Sequence, residues 1–197
     1  LAPCTGFAEA VARDDDQTAR FAPQWLPFDH PLWIVYSSGT TGLPKPIVHG
    51  HGGVVLVGLA LNTLHVDIGC SYQPNSFGER FHWYSSTGWI MWNIQVAGLL
   101  NGTTVCLFDG NPGGPALDAH GNRQAPDWGT LWREVSAMEV TVFGAGAAYF
   151  ANCAKAQLDL RGCGDLHRVR ALGTTGSPLS EDAQNWGPAQ FRTLHPG

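Results

Sequence analysis

Charge is scarce in this chain: Asp, Glu, Lys and Arg make up 14% of its 197 residues, with 11 basic against 16 acidic side chains. A net charge of −5 carried by so few groups, with no cluster of Lys or Arg, offers nothing to follow a phosphodiester backbone, so no nucleic-acid partner is expected. Long apolar runs are missing as well. The longest, residues 54–61, contains Gly58 and falls far short of the ~20 residues that cross a bilayer, so no membrane partner is expected. The first residues lack a basic stretch followed by an apolar one, so no secretory leader is expected. The five cysteines, Cys4, Cys70, Cys106, Cys153 and Cys163, form no C-x-x-C pair and no Cys/His spacing. That excludes a zinc or disulfide framework, implies buried thiols in a reducing compartment, and makes the cytoplasm the expected location.

What is present is an ordinary hydrophobic content of 44% distributed in alternating patterns. Residues 1–27 mix Pro, Gly and Ala with the acidic run Asp14-Asp15-Asp16 and a weak helical stretch, and read as a peripheral segment. From residue 28 the pattern becomes regular. Strands are predicted over 32–36, 80–85, 103–108, 140–143 and 169–172, and helices over 52–65, 88–100, 128–138 and 147–157. Asp127 and Ser180 are placed to cap helices. The Gly/Pro-rich stretch 111–127 is a long loop, and residues 187–197, without periodicity, are expected to fray. Strands separated by helices of this length predict an α/β fold, a largely parallel sheet with flanking helices over residues 28–186.

One stretch concentrates the chemistry. The short apolar run Leu32–Tyr36, read as a buried strand, opens into Ser37-Ser38-Gly39-Thr40-Thr41-Gly42, followed after Leu-Pro by Lys45. Glycines let backbone N–H groups turn toward an anion, hydroxyls add donors and the lysine adds full charge, so phosphate is the ligand such a loop suits. The spacing is not that of the mononucleotide P-loop, because no Gly-Lys-Ser/Thr triplet follows the four-residue spacer. A second loop, Gly173-Thr-Thr-Gly-Ser-Pro178, also follows a strand; it reads either as a partner loop at the same sheet edge or as a plain helix-entry turn.

Gly144-Ala-Gly146 lacks the third glycine of a dinucleotide fingerprint and reads as a strand-to-helix turn. In the aromatic stretch 81–93, Phe81, Trp83 and Trp92 are assigned to the core, whereas Trp89, beside Gly88, is a candidate pocket wall. His49, His51 and His82 are read as structural, and no metal-ligand set is expected.

These segments together resemble the adenylate-forming acyl-CoA synthetases. The resemblance rests on residues 27–36, on Ser37 to Gly53 with its Pro44-Lys45 pair, on Ser86-Thr-Gly-Trp-Ile-Met-Trp-Asn93 and on Gly173 to Ser180. The third segment points to the acetoacetate-using branch. The fourth departs from the usual Gly-Glu-Pro by carrying Ser177. The resemblance implies part of the large N-terminal domain of a ligase using ATP, Mg2+ and coenzyme A. It joins a short-chain keto acid to coenzyme A through an acyl-adenylate.

By resemblance, Ser37, Ser38, Gly39, Thr40, Thr41, Gly42 and Lys45 would hold the phosphates, with Lys45 offsetting charge on the departing pyrophosphate. Gly176, Ser177 and Pro178 would line the adenosine side, and Trp89, Ile90 and Met91 the acyl pocket. A ligase for acetate or propionate, or a nucleotide-binding module without catalysis, are the alternatives. The chain begins with Leu, and the family's ribose-binding aspartate, hinge and C-terminal catalytic lysine have no counterpart in it. It is therefore expected to be an internal fragment that does not turn over alone.

Overall fold

The computed structural model describes residues 20–37, 42–69 and 78–194, with positions 6, 8, 9 and 12 besides. Two sheets are present among them. β1 (Pro31–Ser37) and β2 (Lys45–Gly50) form an antiparallel hairpin. β3 (Arg80–Tyr84), β4 (Thr104–Val105), β5 (Val142–Gly146) and β6 (Ala171–Thr175) form a parallel four-stranded sheet in the order β4-β3-β5-β6. The helices are α1 (His51–Ala60), α2 (Ile90–Ala97), α3 (Thr130–Ala137), α4 (Ala147–Lys155) and α5 (Glu181–Leu194). α1 continues into a wider π-helical turn over Leu61–His65, and α2 into a 3₁₀ turn over Gly98–Asn101. The α/β architecture expected from the alternating pattern is the one observed.

The parallel sheet has two different faces. On one, Phe143 and Ala145 pack with Leu131, Trp132, Val135, Phe150, Cys153 and Leu160, all within a few per cent of full burial. Trp132 sits at the centre of this side, edge-on to Phe143 with ring centroids 4.8 Å apart. On the opposite face a smaller cluster joins Ile68, Phe81 and Val142 to Trp83, Ile94 and Ala171. The strands' N-terminal edge is clasped by polar groups: Arg170 Nε donates to Glu79 at 2.9 Å and its Nη1 to Asp67 at 3.1 Å, while Thr141 Oγ1 bonds Glu79.

Several local expectations change. β1 is not buried: Leu32, Ile34 and Tyr36 are exposed, because α1 covers only part of the hairpin and an apolar run specifies no covering layer of its own. β1 also lies outside the parallel sheet, so the loop after it is a hairpin connection and not the carboxyl end of a parallel strand. β4 is two residues long where a strand over 103–108 was expected, for a reason given below.

The chain from Gly187 to Leu194 is helical instead of frayed, with Pro188 inside α5. Ala183, Trp186, Gly187, Phe191 and Leu194 recur at helical spacing and pack on the core or the sheet edge, and that burial outweighs the N–H that Pro188 lacks. Ser180 does cap the helix, its Oγ accepting the Ala183 N–H at 3.4 Å. Asp127 instead holds the turn ahead of α3, accepting the Gly129 N–H at 3.0 Å and pairing with Arg133.

Candidate functional site

The phosphate-loop candidate is presented at the tip of the hairpin. Ser37 and Lys45 are register partners across β1 and β2, so the ladder brings the first hydroxyl and the lysine of the motif opposite one another. Both are exposed, as is Gly42, over which a Cβ would meet nothing within 4 Å among the described residues. Ser38, Gly39, Thr40 and Thr41 lie outside the described residues.

The base of the hairpin is tied to the start of α1. The N–H of His51 donates to His30 O at 2.9 Å and that of Gly52 to Phe28 O at 2.8 Å. A Cβ on Gly52 would fall 2.0 Å from the Phe28 ring, so only glycine admits this close approach. The first two N–H groups of α1 are thus spent on carbonyls. His51 Nδ1 lies 2.9 Å from His30 O, and the two rings meet edge to face at 5.4 Å. A structural part for His51 follows.

The second group gathers at the carboxyl ends of the parallel strands. Gly176 turns the chain after β6 at φ +96°, a conformation that side chains disfavour. A Cβ built there would lie 3.5 Å from Cη2 of Trp89, so the candidate adenosine loop and the candidate acyl wall adjoin. Gly176, Ser177 and Pro178 are exposed, Trp89 and Ile90 are each 37% exposed, and Met91 is half-buried. Trp89 stands immediately before α2 in extended conformation, which sets its ring at the mouth of the sheet face and not along the helix. The hairpin shares no hydrogen-bonded ladder with this sheet, so the two loops are carried by separate frameworks.

Three residues beside these loops carry no motif. Gln95, 1% exposed on α2, accepts the Trp83 N–H through Oε1 at 2.7 Å and donates through Nε2 to Cys106 O at 2.8 Å. His82 Nδ1 reaches the same Cys106 oxygen at 2.8 Å. These side chains insert where strand pairing would continue, so β4 parts from β3 once the Cys106 N–H has bonded Phe81 O at 2.8 Å, which is why β4 is short. The parted ends enclose a cleft of about 520 Å3 lined by His82, Tyr84, Ser86, Trp92, Gln95 and Phe108, among others. Burial lowers the His82 pKa and the ring is held neutral, stacked 5.8 Å from Phe143.

The third residue is Trp83. It is half-buried, and its indole lies over Gly144 and Gly173, which stand in register with it on β5 and β6. Glycines at matching places in two strands are visible in the sequence, but their alignment under one tryptophan appears only once the register is known. Gly144 is accordingly inside β5, while Gly146 alone forms the entry to α4.

Cys106, Cys153 and Cys163 are free and buried, and burial pushes the Cys153 thiol up to about 11. Among the described residues no helix is long and apolar enough to cross a membrane, and no group of three His, Cys, Asp or Glu side chains stands together.

Comparison with known proteins adds to this geometry. A model of the AMP-binding enzymes matches residues 4–196. An acetoacetyl-coenzyme A synthetase of Rhizobium meliloti (strain 1021) is 38% identical over 157 residues, 80% of this chain and 21% of the relative. A malonamoyl-CoA synthetase of Penicillium aethiopicum is 36% identical over 174 residues, 86% of this chain and 22% of the relative. Among solved structures, an acetoacetyl-CoA synthetase from Streptomyces lividans superimposes with a TM-score of 0.69 at 40% identity, covering 94% of this chain and 27% of that one. The chain thus spans about a fifth to a quarter of the length of the proteins it matches.

Proposed function

The chain belongs to the family of AMP-binding enzymes, and from that membership we propose that it forms part of an ATP-dependent acyl-CoA ligase acting on acetoacetate. In this reading the acid's carboxylate attacks the α-phosphate of ATP, giving acyl-adenylate and pyrophosphate. The thiol of coenzyme A then displaces AMP to give the thioester. The observation that carries it is the 40% identity, over 94% of the chain, to the acetoacetyl-CoA synthetase from Streptomyces lividans.

The residues divide the work as their positions allow. Lys45 and Ser37, opposite one another at the hairpin tip, take the outer phosphates together with Ser38, Gly39, Thr40, Thr41 and Gly42. The Lys45 ammonium offsets the charge that gathers on the departing pyrophosphate. Gly176, Ser177 and Pro178 border the adenosine, and Trp89, Ile90 and Met91 wall the acyl group next to them. No general base is required for the first step, because a carboxylate is already ionised at neutral pH. Mg2+ offsets triphosphate charge when bound. It would be held through the nucleotide's phosphates. Free, buried thiols suit a reducing compartment, and the cytoplasm is the location that fits.

The test is pyrophosphate release by the full-length protein that carries this chain, with acetoacetate, malonamate, acetate and propionate each supplied with ATP and coenzyme A. Highest kcat/KM with acetoacetate supports the reading. A preference for malonamate would favour a ligase for that acid instead, a reading the Penicillium aethiopicum relative supports, and a preference for acetate or propionate would move the enzyme to simple short acids. ATP binding without pyrophosphate release would leave only a nucleotide-binding module.

A further inference from the structure

We infer that Trp83 sets the length of acid the enzyme accepts, by plugging the inner end of the acyl space; the inference rests on the ligase reading above. The sheet face that carries α2 is built in rows. The innermost row, Phe81–Val142–Ala171, is filled with apolar side chains. The next row is Trp83–Gly144–Gly173, one large side chain beside two positions that have none.

The indole spreads sideways to fill both vacancies. A Cβ built on Gly144 would lie 2.1 Å from Trp83 Cε3, and one on Gly173 would lie 2.5 Å from Cζ3. One further row along, a Cβ on Gly146 meets nothing among the described residues nearer than Thr175 O at 3.9 Å, so the space they leave open begins there. Beyond that row Trp89 closes over Gly176.

Two indoles therefore bracket the room above Gly146, Trp89 at its mouth and Trp83 at its inner end. A row of sheet is two residues deep, about 6.6 Å along the strands. Removing the Trp83 indole would open that depth over a floor of two glycines, enough for an acid a few carbons longer. Pockets of this kind discriminate roughly tenfold or more for each added carbon.

The experiment compares the full-length protein with Trp83→Ala and the milder Trp83→Leu. Pyrophosphate release and calorimetric binding are measured on 3-oxo acids of four, six and eight carbons. The expected result is at least a tenfold rise in the ratio of kcat/KM for the six-carbon acid over the four-carbon acid, with tighter binding of the longer acid in both variants. A second comparison isolates the contact: Gly144→Ala should weaken four-carbon acid turnover when Trp83 is present and have little effect beside Trp83→Ala.

An unchanged chain-length ratio in variants that keep the wild-type thermal shift with ATP would overturn the inference. If Trp83→Ala loses its cooperative melt, Trp83→Leu carries the same comparison. Should the wild-type protein release pyrophosphate with none of these acids, the ligase reading fails on its own. Calorimetry then still decides for Trp83: a gain in affinity for the longer acids upholds the plug, and no gain removes it.

Discussion

Lys45 is the residue whose removal should cost the reaction most directly. It is exposed at the hairpin tip and is held by the backbone ladder, so Lys45→Ala removes a charge without opening a cavity. In the full-length protein kcat should fall on the order of 10²-fold or more, the usual cost of losing one stabiliser of developing charge, with the melting temperature unchanged. A fall of only a few-fold would reduce the hairpin to a structural part.

His82 makes the opposite kind of prediction, one of stability against pH. Its folded-state pKa lies below that of an ordinary histidine because burial disfavours the charged ring, an effect only partly offset by its bond to Cys106 O. The unfolded chain therefore takes up a proton at higher pH than the folded one. Stability from this group is complete above about pH 6.5 and is lost as pH falls from there toward the folded pKa, by up to ~1.4 kcal/mol per pH unit. His82→Phe, which keeps the stack on Phe143, should flatten that part of a denaturant-midpoint profile measured between pH 7.5 and 5.

The parting of β3 and β4 depends on one helix side chain. Gln95 satisfies the Trp83 N–H and shares the Cys106 carbonyl with His82, so it substitutes for a strand that has turned away. Gln95→Met keeps the volume but leaves the Trp83 N–H buried without a partner. The expected cost is about 1–3 kcal/mol in chemical denaturation. The mouth of the cleft should loosen at the same time, read as faster amide exchange at Trp83 and Tyr84. A loss of stability without faster exchange there would mean that Gln95 packs but does not hold the strands apart.

The element that packing extended furthest is α5. Gly187-Pro188 looks like a place where a helix ends, yet Trp186 Nε1–H reaches Leu158 O at 3.1 Å and Phe191 packs against the core. Local propensity lost to burial at that point.

Among the described residues, Ile34, Tyr36, Ile47 and Val48 of the hairpin, Leu56 and Val57 of α1 and Leu64 of the π-helical turn are exposed, more apolar surface than a lone domain comfortably shows. The isolated 197-residue chain is therefore expected to self-associate in sedimentation at micromolar concentration, and to release no pyrophosphate with any acid. Monomeric behaviour together with turnover would overturn both expectations.

The amino-acid order alone was enough for the α/β class, for most helix and strand positions, and for the places where phosphate, adenosine and acyl contacts are proposed. Those signals are local: a hydroxyl- and glycine-rich loop ending in Pro-Lys, a Gly-Trp step before a helix, apolar residues at regular spacing. Tertiary structure alone decided that the Ser37–Lys45 loop tips a separate hairpin, that Gln95 and His82 end β4 early, and that Trp83 lies on Gly144 and Gly173. Each of these depends on which strand pairs with which and in what register. Residues 83, 144 and 173 become neighbours only through long-range pairing, which no spacing along the chain records.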